Sequence, residues 1–357
     1  MKKIFFAVLC ACTLLAACDD DDNEVKVLSG NYVPKSEAII LCEGSYGGNN
    51  SCLALLSDGE VTTGIYATAN GQDLGDTGQD LLHTDGAWFV SVSTSAYIAR
   101  LNEKTYKEEA RYTCTEADNL PRYLASDGDY LYVSTYAGKV LKLQLSDLTK
   151  VAEAEVGSYP EQIAIVGSHL LCCNSGYSYG NTVSAISLKT FAVEKTIEVP
   201  MNPTRIVAGK NDVAYCLTTA YTADWTSATG TISSIDTRND FKVETVCEAT
   251  QMAVSGSTLY LCNCVPDYMT YTYSTAFMKY DMEKKQMSEE PVLASDTLTD
   301  VLASKCIYLF DVNAKNGELF IGTTDYYSNS TLYVTDRKGQ SWTSVDAGGV
   351  NASRVGF

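Results

Sequence analysis

The sequence predicts an all-β chain that folds as a seven-bladed β-propeller with four antiparallel strands per blade. Three observations lead to this fold class. Short runs rich in Val, Ile, Leu, Tyr and Thr alternate with clusters of Gly, Asn and Asp, and no segment keeps a helical apolar period over three turns. A related four-strand unit recurs along the chain. The last residues, 351–357, repeat the beginning of that unit.

The repeated unit begins with a polar residue placed directly before an apolar one. Three clear copies are residues 120–125, 159–164 and 202–207, which read Leu-Pro-Arg-Tyr-Leu-Ala, Tyr-Pro-Glu-Gln-Ile-Ala and Asn-Pro-Thr-Arg-Ile-Val. Three more strand-like runs follow each copy. The equivalent apolar residues recur at intervals of about 40 to 60 residues, which is the repeat length of a propeller blade: Leu81, Leu124, Ile163, Ile206, Met252 and Phe310.

The first blade needs a strand from the other end of the chain. Residues 38–68 supply only three strand-like runs, over 39–43, 52–56 and 60–66. We expect residues 351–357 to provide the missing inner strand, which closes the ring and leaves no free sheet edge. An open β-sandwich or two stacked β domains is the alternative. Although the length of 357 residues alone favours about two domains, the repeat predicts one propeller over residues 38–357.

The N-terminal segment has the pattern of a lipoprotein signal peptide. Lys2 and Lys3 precede an apolar stretch, residues 4–14, that is too short to span a bilayer, and residues 15–18 read Leu-Ala-Ala-Cys. We expect residues 1–17 to be removed, Cys18 to be lipidated and residues 18–37 to form an acidic tether. An ordinary signal peptide with a chance cysteine is the alternative.

Composition narrows the class of ligand. With 26 basic and 44 acidic residues the net charge is −18, which argues against nucleic acid as a partner. The chain holds 24 Tyr but only 9 Phe. A buried Tyr hydroxyl must find a hydrogen-bond partner, so a surplus of Tyr predicts that many of these rings lie at a surface.

The propeller geometry places many of these rings on one face. Loops from the second to the third strand of each blade are expected at residues 44–51, 94–97, 135–139, 175–181, 219–230, 265–274 and 324–330. These loops carry Tyr46, Tyr97, Tyr136, Tyr177, Tyr179, Tyr221, Trp225, Tyr268, Tyr271, Tyr273, Tyr326 and Tyr327. We interpret them as a platform for a bulky, partly apolar ligand. Local packing against neighbouring blades is the alternative.

A polar ring is expected at the mouth of the central channel. The residues directly before the repeated apolar position, with their neighbours, are Asp80, Arg122, Tyr123, Tyr159, Glu161, Gln162, Arg205, Gln251, Leu309 and Arg354. The arginines are suited to a bidentate contact with a phosphate or carboxylate. Alternatively, they form ion pairs with Asp80 and Glu161.

No catalytic or metal-binding motif stands out. The two histidines, His83 and His169, are expected to be structural, and the chain has no nucleophile elbow or phosphate loop. Cysteines in apolar strand-like runs are expected to be buried thiols: Cys42, Cys172, Cys173, Cys216, Cys262, Cys264 and Cys306. We therefore expect a binding protein with no enzyme activity, no cofactor and no metal.

Several segments resemble a known family. Residues 121–128, Pro-Arg-Tyr-Leu-Ala-Ser-Asp-Gly, and residues 174–188 look like blades of the YncE-like seven-bladed surface lipoproteins of Bacteroides. Residues 42–50, Cys-Glu-Gly-Ser-Tyr-Gly-Gly-Asn-Asn, resemble that group's Asn-Glu-Gly-x-x-Gly motif, with Cys42 in place of Asn. The acidic run 19–24 resembles the surface-export tag of such lipoproteins, although a plain solvated spacer is the alternative.

Within that group, the BtuG-type proteins capture cobalamin and pass it to a TonB-dependent transporter. The resemblance implies a lipid-anchored protein of the outer membrane that faces the cell exterior and binds cobalamin or a related corrinoid. A glycan, haem or a protein partner is the alternative ligand. The expected ligand-binding residues are Tyr46, Asp80, Tyr97, Arg122, Tyr123, Tyr136, Tyr159, Gln162, Tyr177, Tyr179, Arg205, Tyr221, Trp225, Gln251, Tyr268, Tyr326 and Arg354.

Overall fold

Seven four-stranded antiparallel sheets make up the computed structural model, which describes residues 30–357. The expected signal peptide, the lipidation site at Cys18 and most of the acidic tether lie outside the described residues. Blade 1 contributes β1 (Ala38–Cys42), β2 (Cys52–Ser57) and β3 (Glu60–Thr62), and the short helix α1 (Ile65–Asn70) follows.

The next three blades have strands of similar length. Blade 2 contains β4 (Gly78–Thr84), β5 (Ala87–Val92), β6 (Tyr97–Asn102) and β7 (Glu108–Thr113). Blade 3 contains β8 (Pro121–Ser126), β9 (Tyr130–Thr135), β10 (Lys139–Gln144) and β11 (Lys150–Glu155). Blade 4 contains β12 (Pro160–Val166), β13 (His169–Asn174), β14 (Thr182–Ser187) and β15 (Val193–Glu198).

Longer strands occur in the last three blades. Blade 5 contains β16 (Pro203–Ala208), β17 (Val213–Tyr221), β18 (Ala228–Asp236) and β19 (Lys242–Glu248). Blade 6 contains β20 (Gln251–Ser255), β21 (Thr258–Asp267), β22 (Thr272–Asp281) and β23 (Gln286–Met287), followed by helix α2 (Asp296–Leu302). Blade 7 contains β24 (Ile307–Val312), β25 (Leu319–Thr323), β26 (Asn329–Thr335) and β27 (Trp342–Val350), and the chain ends in β28 (Ala352–Gly356).

The expected closure of the ring is confirmed. Strand β28 is the innermost strand of blade 1, and its residue Val355 lies opposite Ile40 of β1. The first strand of every other blade is likewise the innermost one, and inner strands of neighbouring blades contact each other around the ring. The chain is therefore a seven-bladed β-propeller.

Burial follows the position of a strand in its blade. Second strands are surrounded by protein, and every residue of β5, Ala-Trp-Phe-Val-Ser-Val, is buried. Outer strands face water on one side, and in β7, Glu-Glu-Ala-Arg-Tyr-Thr, exposed and partly buried residues alternate. Apolar side chains from adjacent blades form the core between them, as where Phe89 of blade 2 joins Val133 and Leu141 of blade 3. The seven cysteines expected in apolar runs are all buried.

Two short helices were not expected from the sequence. The strand expected over residues 60–66 ends at Thr62, because Gly64 adopts a φ of 64° and starts α1, which buries Ile65 and Tyr66. The Tyr66 hydroxyl donates to Glu108 Oε2 at 2.7 Å and fixes α1 against blade 2. Helix α2 accounts for the longest interval between repeats. Within residues 30–357, neither helix has the length and apolar character needed to cross a membrane.

Candidate functional site

The loops emerge on two opposite faces, which we call upper and lower. The upper face carries the loops between second and third strands and those between blades. All ten aromatic side chains that are exposed within residues 30–357 lie on the upper face: Tyr46, Tyr159, Tyr177, Tyr179, Tyr221, Trp225, Tyr268, Tyr271, Tyr326 and Tyr327. A concentration of exposed rings on one surface of a soluble domain is typical of an interaction site. We call these ten residues the aromatic face.

Five of the ten residues of the aromatic face have a left-handed backbone conformation. A left-handed φ is uncommon for a bulky side chain and costs roughly 1–3 kcal/mol, and such residues cluster at binding sites. The positive φ angles are 47° at Tyr159, 53° at Tyr177, 59° at Trp225, 55° at Tyr271 and 69° at Tyr326. Bulky residues of lower-face turns, such as Phe191 and Phe241, have φ angles of 52° and 58°, so this conformation is shared by both faces of the propeller.

Rings on the upper face of blades 3 and 4 form a contiguous row. The centroid of Tyr159 lies 5.2 Å from that of Tyr136 and 5.2 Å from that of Tyr177. Gly176 shapes the loop that presents Tyr177, because its φ is 56° and a Cβ there would lie 2.5 Å from the Gly180 nitrogen. The row reaches from the rim of the propeller towards the channel.

Two long hairpins of blades 5 and 6 come next around the upper face. Strands β17–β18 and β21–β22 continue into the segments expected to be loops and meet through an isolated bridge between Ser227 and Asp267. The amide of Tyr268 donates to Thr226 O at 2.8 Å. Tyr221 and Trp225 stack at the tip with ring centroids 5.0 Å apart. The paired hairpins make a wall beside the channel mouth.

The channel mouth is a cavity of about 220 Å³ at the centre of the upper face. Polar and charged side chains near the upper ends of the inner strands line it, together with Glu43, which directly follows β1. The lining residues are Glu43, Gln79, Arg122, Tyr123, Arg205, Gln251, Tyr308, Ser353 and Arg354. Two tyrosines connect the mouth to the aromatic face. The Tyr136 ring centroid lies 4.5 Å from the Arg122 guanidinium. The ring centroids of Tyr326 and Tyr308 are 5.9 Å apart.

Two of the three arginines are paired within the protein. Arg122 donates from Nη2 and Nε to Glu161 Oε2, at 2.9 and 3.2 Å, and from Nη1 to Gln79 Oε1. Arg354 donates from Nε to Asp80 Oδ1 at 2.7 Å. For these two arginines, the alternative of mutual ion pairs across the channel is correct.

Arg205 differs from the other two arginines. Within residues 30–357, no hydrogen bond or ion pair reaches its guanidinium, although the side chain is only partly exposed. Burial, together with repulsion from Arg354, lowers the pKa of Arg205 to about 10. Arg205 is therefore a cation held in the mouth at an energetic cost.

Two carboxyl groups near the mouth were missed by sequence reasoning. Glu43 accepts a 2.5 Å hydrogen bond from the Tyr308 hydroxyl, and burial raises the Glu43 pKa. Asp311 accepts from its neighbour Val312 N at 2.8 Å, and burial raises its pKa to about 6. A signal for Asp311 exists in the repeat, since the equivalent position in other blades is apolar, as at Ala125 and Ala164.

Some expected ligand-binding residues have structural contacts. Tyr97 is wrong as a member of an exposed loop, because it begins β6, is only 4% exposed and donates its hydroxyl to Leu74 O. Asp80 Oδ2 accepts from Leu124 N at 2.9 Å and Gln162 Oε1 from Ile206 N at 3.3 Å, so both join their own inner strand to the next.

The remaining expected residues lie on the upper face or in the mouth. Tyr123 is buried between two arginines, with Arg122 at 5.5 Å and Arg354 at 5.2 Å from its ring centroid. Gln251 Nε2 makes a long 3.5 Å bond to Ile307 O, while its Oε1 has no partner within residues 30–357. The structure thus brings the aromatic residues and the arginines to one face. Among the described residues, no cluster of His, Cys, Asp and Glu is arranged to hold a metal ion.

Comparisons with solved structures support the fold alone. Hydrazine synthase of Kuenenia stuttgartiensis is similar with a TM-score of 0.58 and 14% identity, over 72% of this chain and 76% of that one. A functionally unknown protein from Desulfotomaculum acetoxidans gives 0.57 and 14%, over 90% and 98%. The computationally designed protein Ika8 gives 0.55 and 10%, over 91% and 92%.

Sequence comparison identifies the family. No curated protein matches the chain. The model of DUF5074, described as a domain of unknown function, matches residues 37–346, which is most of the propeller. The chain therefore belongs to the DUF5074 family.

Proposed function

We propose that this protein is a ligand-capture propeller whose aromatic face binds cobalamin or a related corrinoid. The observation that carries the proposal is that all ten exposed aromatic side chains within residues 30–357 lie on the upper face. Rings with one polar tip give a large apolar contact at low entropic cost and still offer hydroxyls to a ligand rich in amides. Binding without chemistry is the activity proposed.

The shape of the upper face favours a large ligand. The tyrosine row of blades 3 and 4 and the hairpins of blades 5 and 6 are consecutive around the polar mouth, so aromatic residues follow it over four of the seven blades. A planar macrocycle with polar side groups would contact the aromatic rings with its apolar surface and their hydroxyls with its polar groups. Residues 42–50 resemble the motif of the YncE-like surface lipoproteins, and the reason for naming a corrinoid is that this group includes the BtuG-type proteins.

The path of the N-terminal residues supports delivery from a membrane anchor. The Tyr32 amide donates to Trp342 O at 3.3 Å, and the Tyr32 hydroxyl donates to Glu318 Oε1 at 2.5 Å. Trp342 and Glu318 lie at the lower ends of their strands, so residues 30–37 run along the lower face. We propose that a lipid at Cys18 holds the lower face towards the outer membrane and leaves the aromatic face free to pass its ligand to a TonB-dependent transporter.

Titration calorimetry of the purified protein in detergent solution tests the proposal. We expect saturable binding of cobalamin and cobinamide, weakened at least tenfold by the triple substitution Tyr177→Ala, Tyr179→Ala and Trp225→Ala. The matched control is Val151→Ala with Val193→Ala, two exposed side chains on outer strands away from the upper face. The control should bind like the wild type.

Two results would overturn the proposal at different levels. If neither corrinoid binds, the ligand is not a corrinoid, and haem, a glycan or a protein is the ligand class to titrate next. If the triple variant binds corrinoid as tightly as the wild type, the aromatic face is not the binding site.

A further inference from the structure

We infer that the channel mouth is a second binding site, which takes the carboxylate or phosphate group of an anionic ligand on Arg205. The inference goes beyond the proposed function and holds whichever large ligand the aromatic face takes. Four features of the mouth carry it: its charge pairing, its unsatisfied polar atoms, its internal carboxyl groups and its size.

Among the arginines of the mouth, Arg205 is the one that has no ion-pair partner within residues 30–357. Arg122 is matched by Glu161 and Arg354 by Asp80, each within 3 Å. Within residues 30–357, Arg205 has no acidic oxygen within 4.0 Å. A charge withdrawn from water is costly unless it is paired and hydrogen-bonded. A bound anion would supply the missing pairing and would also screen Arg205 from Arg354.

Unsatisfied hydrogen-bonding atoms surround the same space. Within residues 30–357, the buried Ser353 Oγ and Gln251 Oε1 have no hydrogen-bond partner. A serine hydroxyl can donate to an anion, whereas Gln251 Oε1 is an acceptor and would meet the anion through a bridging donor such as water. Buried polar groups in native proteins are nearly always satisfied, so these two atoms indicate a missing partner.

The internal carboxyl groups do not replace that partner. Glu43 is bonded to the Tyr308 hydroxyl, and Asp311 is bonded to its own neighbouring amide. Burial raises the pKa of both groups, so each is more readily neutral than an ordinary carboxylate. The charged and titratable groups that face Arg205 from the inner strands and their entry loops are Glu43, Asp80, Arg122, Tyr123, Glu161, Tyr308, Asp311 and Arg354.

The size of the mouth restricts what can enter. A cavity of about 220 Å³ holds a phosphate or carboxylate group with a few waters, since one water occupies about 30 Å³. It is too small for a whole large ligand. The site therefore takes either a free anion or the anionic end of a molecule that lies on the aromatic face.

Calorimetric titrations with two probes test the site. Inorganic phosphate and phenyl phosphate are titrated at pH 5.5, below the Asp311 pKa of about 6, and at constant ionic strength with chloride as the background anion. We expect the wild type to bind phenyl phosphate with a dissociation constant in the millimolar range or tighter, and Arg205→Gln to weaken it at least tenfold. Arg100→Gln, which removes an arginine paired with Glu109 on the outer part of blade 2, is the matched control and should bind like the wild type.

Further outcomes assign the source of the anion. A tenfold preference for phenyl phosphate over inorganic phosphate would support the anionic end of a larger ligand, whereas equal affinities would support a free ion. Failure of both probes to bind, or unchanged binding by Arg205→Gln, overturns the inference. If Arg205→Gln does not fold, Arg205→Lys is used, because it keeps the charge but loses the bidentate geometry and should weaken binding several-fold. Loss of this site leaves corrinoid binding measurable, so the two proposals fail separately.

Discussion

Arg354 and Asp80 form an ion pair that joins the two ends of the propeller ring. The Nε of Arg354, in β28, donates to Asp80 Oδ1, in β4, at 2.7 Å. The other oxygen of Asp80 accepts from Leu124 N in β8 at 2.9 Å. One carboxylate therefore connects the inner strands of three consecutive blades, at the point where the chain closes on itself.

The substitution Asp80→Asn is expected to destabilise the propeller by about 3 kcal/mol, because breaking a buried ion pair leaves the other charge without a partner. Urea unfolding followed by tryptophan fluorescence measures the change. Glu109→Gln removes the carboxylate of the more exposed pair with Arg100 and should cost less than about 1 kcal/mol. Equal losses in the two variants would show that Asp80 does not stabilise the closure.

Glu318 is expected to hold the N-terminal residues onto blade 7. Its buried carboxylate accepts from the Tyr32 hydroxyl, from Lys35 N at 2.6 Å and from Ser36 N at 3.0 Å. These hydrogen bonds hold the Glu318 pKa below its usual value. A depressed pKa stabilises the fold above the unfolded-state pKa, and that stabilisation is lost as the pH falls through the folded-state pKa.

We expect Glu318→Gln to lower the free energy of unfolding by about 2 kcal/mol at pH 7, and the difference from the wild type to shrink as the pH falls from about 5 towards 3. Thermal unfolding measured across this pH range tests both parts. A difference that stayed constant with pH would mean that the carboxylate charge of Glu318 is not the source of the effect.

Asp311 should show the opposite dependence on pH. Burial raises its folded-state pKa to about 6, above the unfolded-state value, so ionisation costs stability as the pH rises from about 4 to 7. Asp311→Asn removes this cost. The variant should match the wild type near pH 4 and exceed it by on the order of 3 kcal/mol at pH 8, at 1.36 kcal/mol per pKa unit. Chemical unfolding at the two pH values is the measurement, and a variant less stable at pH 8 would contradict the prediction.

Tyr97 is a core tyrosine and Tyr46 is a surface tyrosine, so substitutions at these two positions should have different costs. Tyr97 is 4% exposed and has the Arg111 guanidinium 3.8 Å from its ring centroid, whereas Tyr46 is 88% exposed. Tyr97→Ala is expected to cost about 3–5 kcal/mol, and Tyr46→Ala less than about 0.5 kcal/mol. Differential scanning calorimetry on both variants distinguishes the two roles. Similar melting temperatures for the two variants would contradict this assignment.

The architecture was predictable because it repeats. A polar–apolar step at the start of the inner strand marks every blade except blade 7, where Leu309 precedes Phe310 and is buried in the core, and the match of residues 351–357 to residues 202–207 predicts the closure. Helices α1 and α2 were missed because each occurs once and has too few residues to show a period. The long hairpins were missed because polar and aromatic residues at their tips, such as Tyr221, have the composition of a loop.

The sequence predicts where the site lies, but not which of its charged side chains form ion pairs. Loop membership alone places residues such as Tyr177 and Tyr326 on the upper face. Tyr97 was misplaced by one position, since the loop ends at Ala96. Which arginine lacks a partner depends on side-chain reach across the channel, and this is fixed by blade packing rather than by any local pattern around Arg205.

The pairing of β1 with β28 also determines when the protein can finish folding. Ile39 lies opposite Gly356, so the last contacts of blade 1 form only after nearly the whole chain is available. Contacts between residues so far apart in sequence slow folding, because the entropy of closing a long loop is lost before the contacts stabilise it. Until then β1 keeps an unpaired edge, because the backbone groups that β28 satisfies in the folded protein lack their partners.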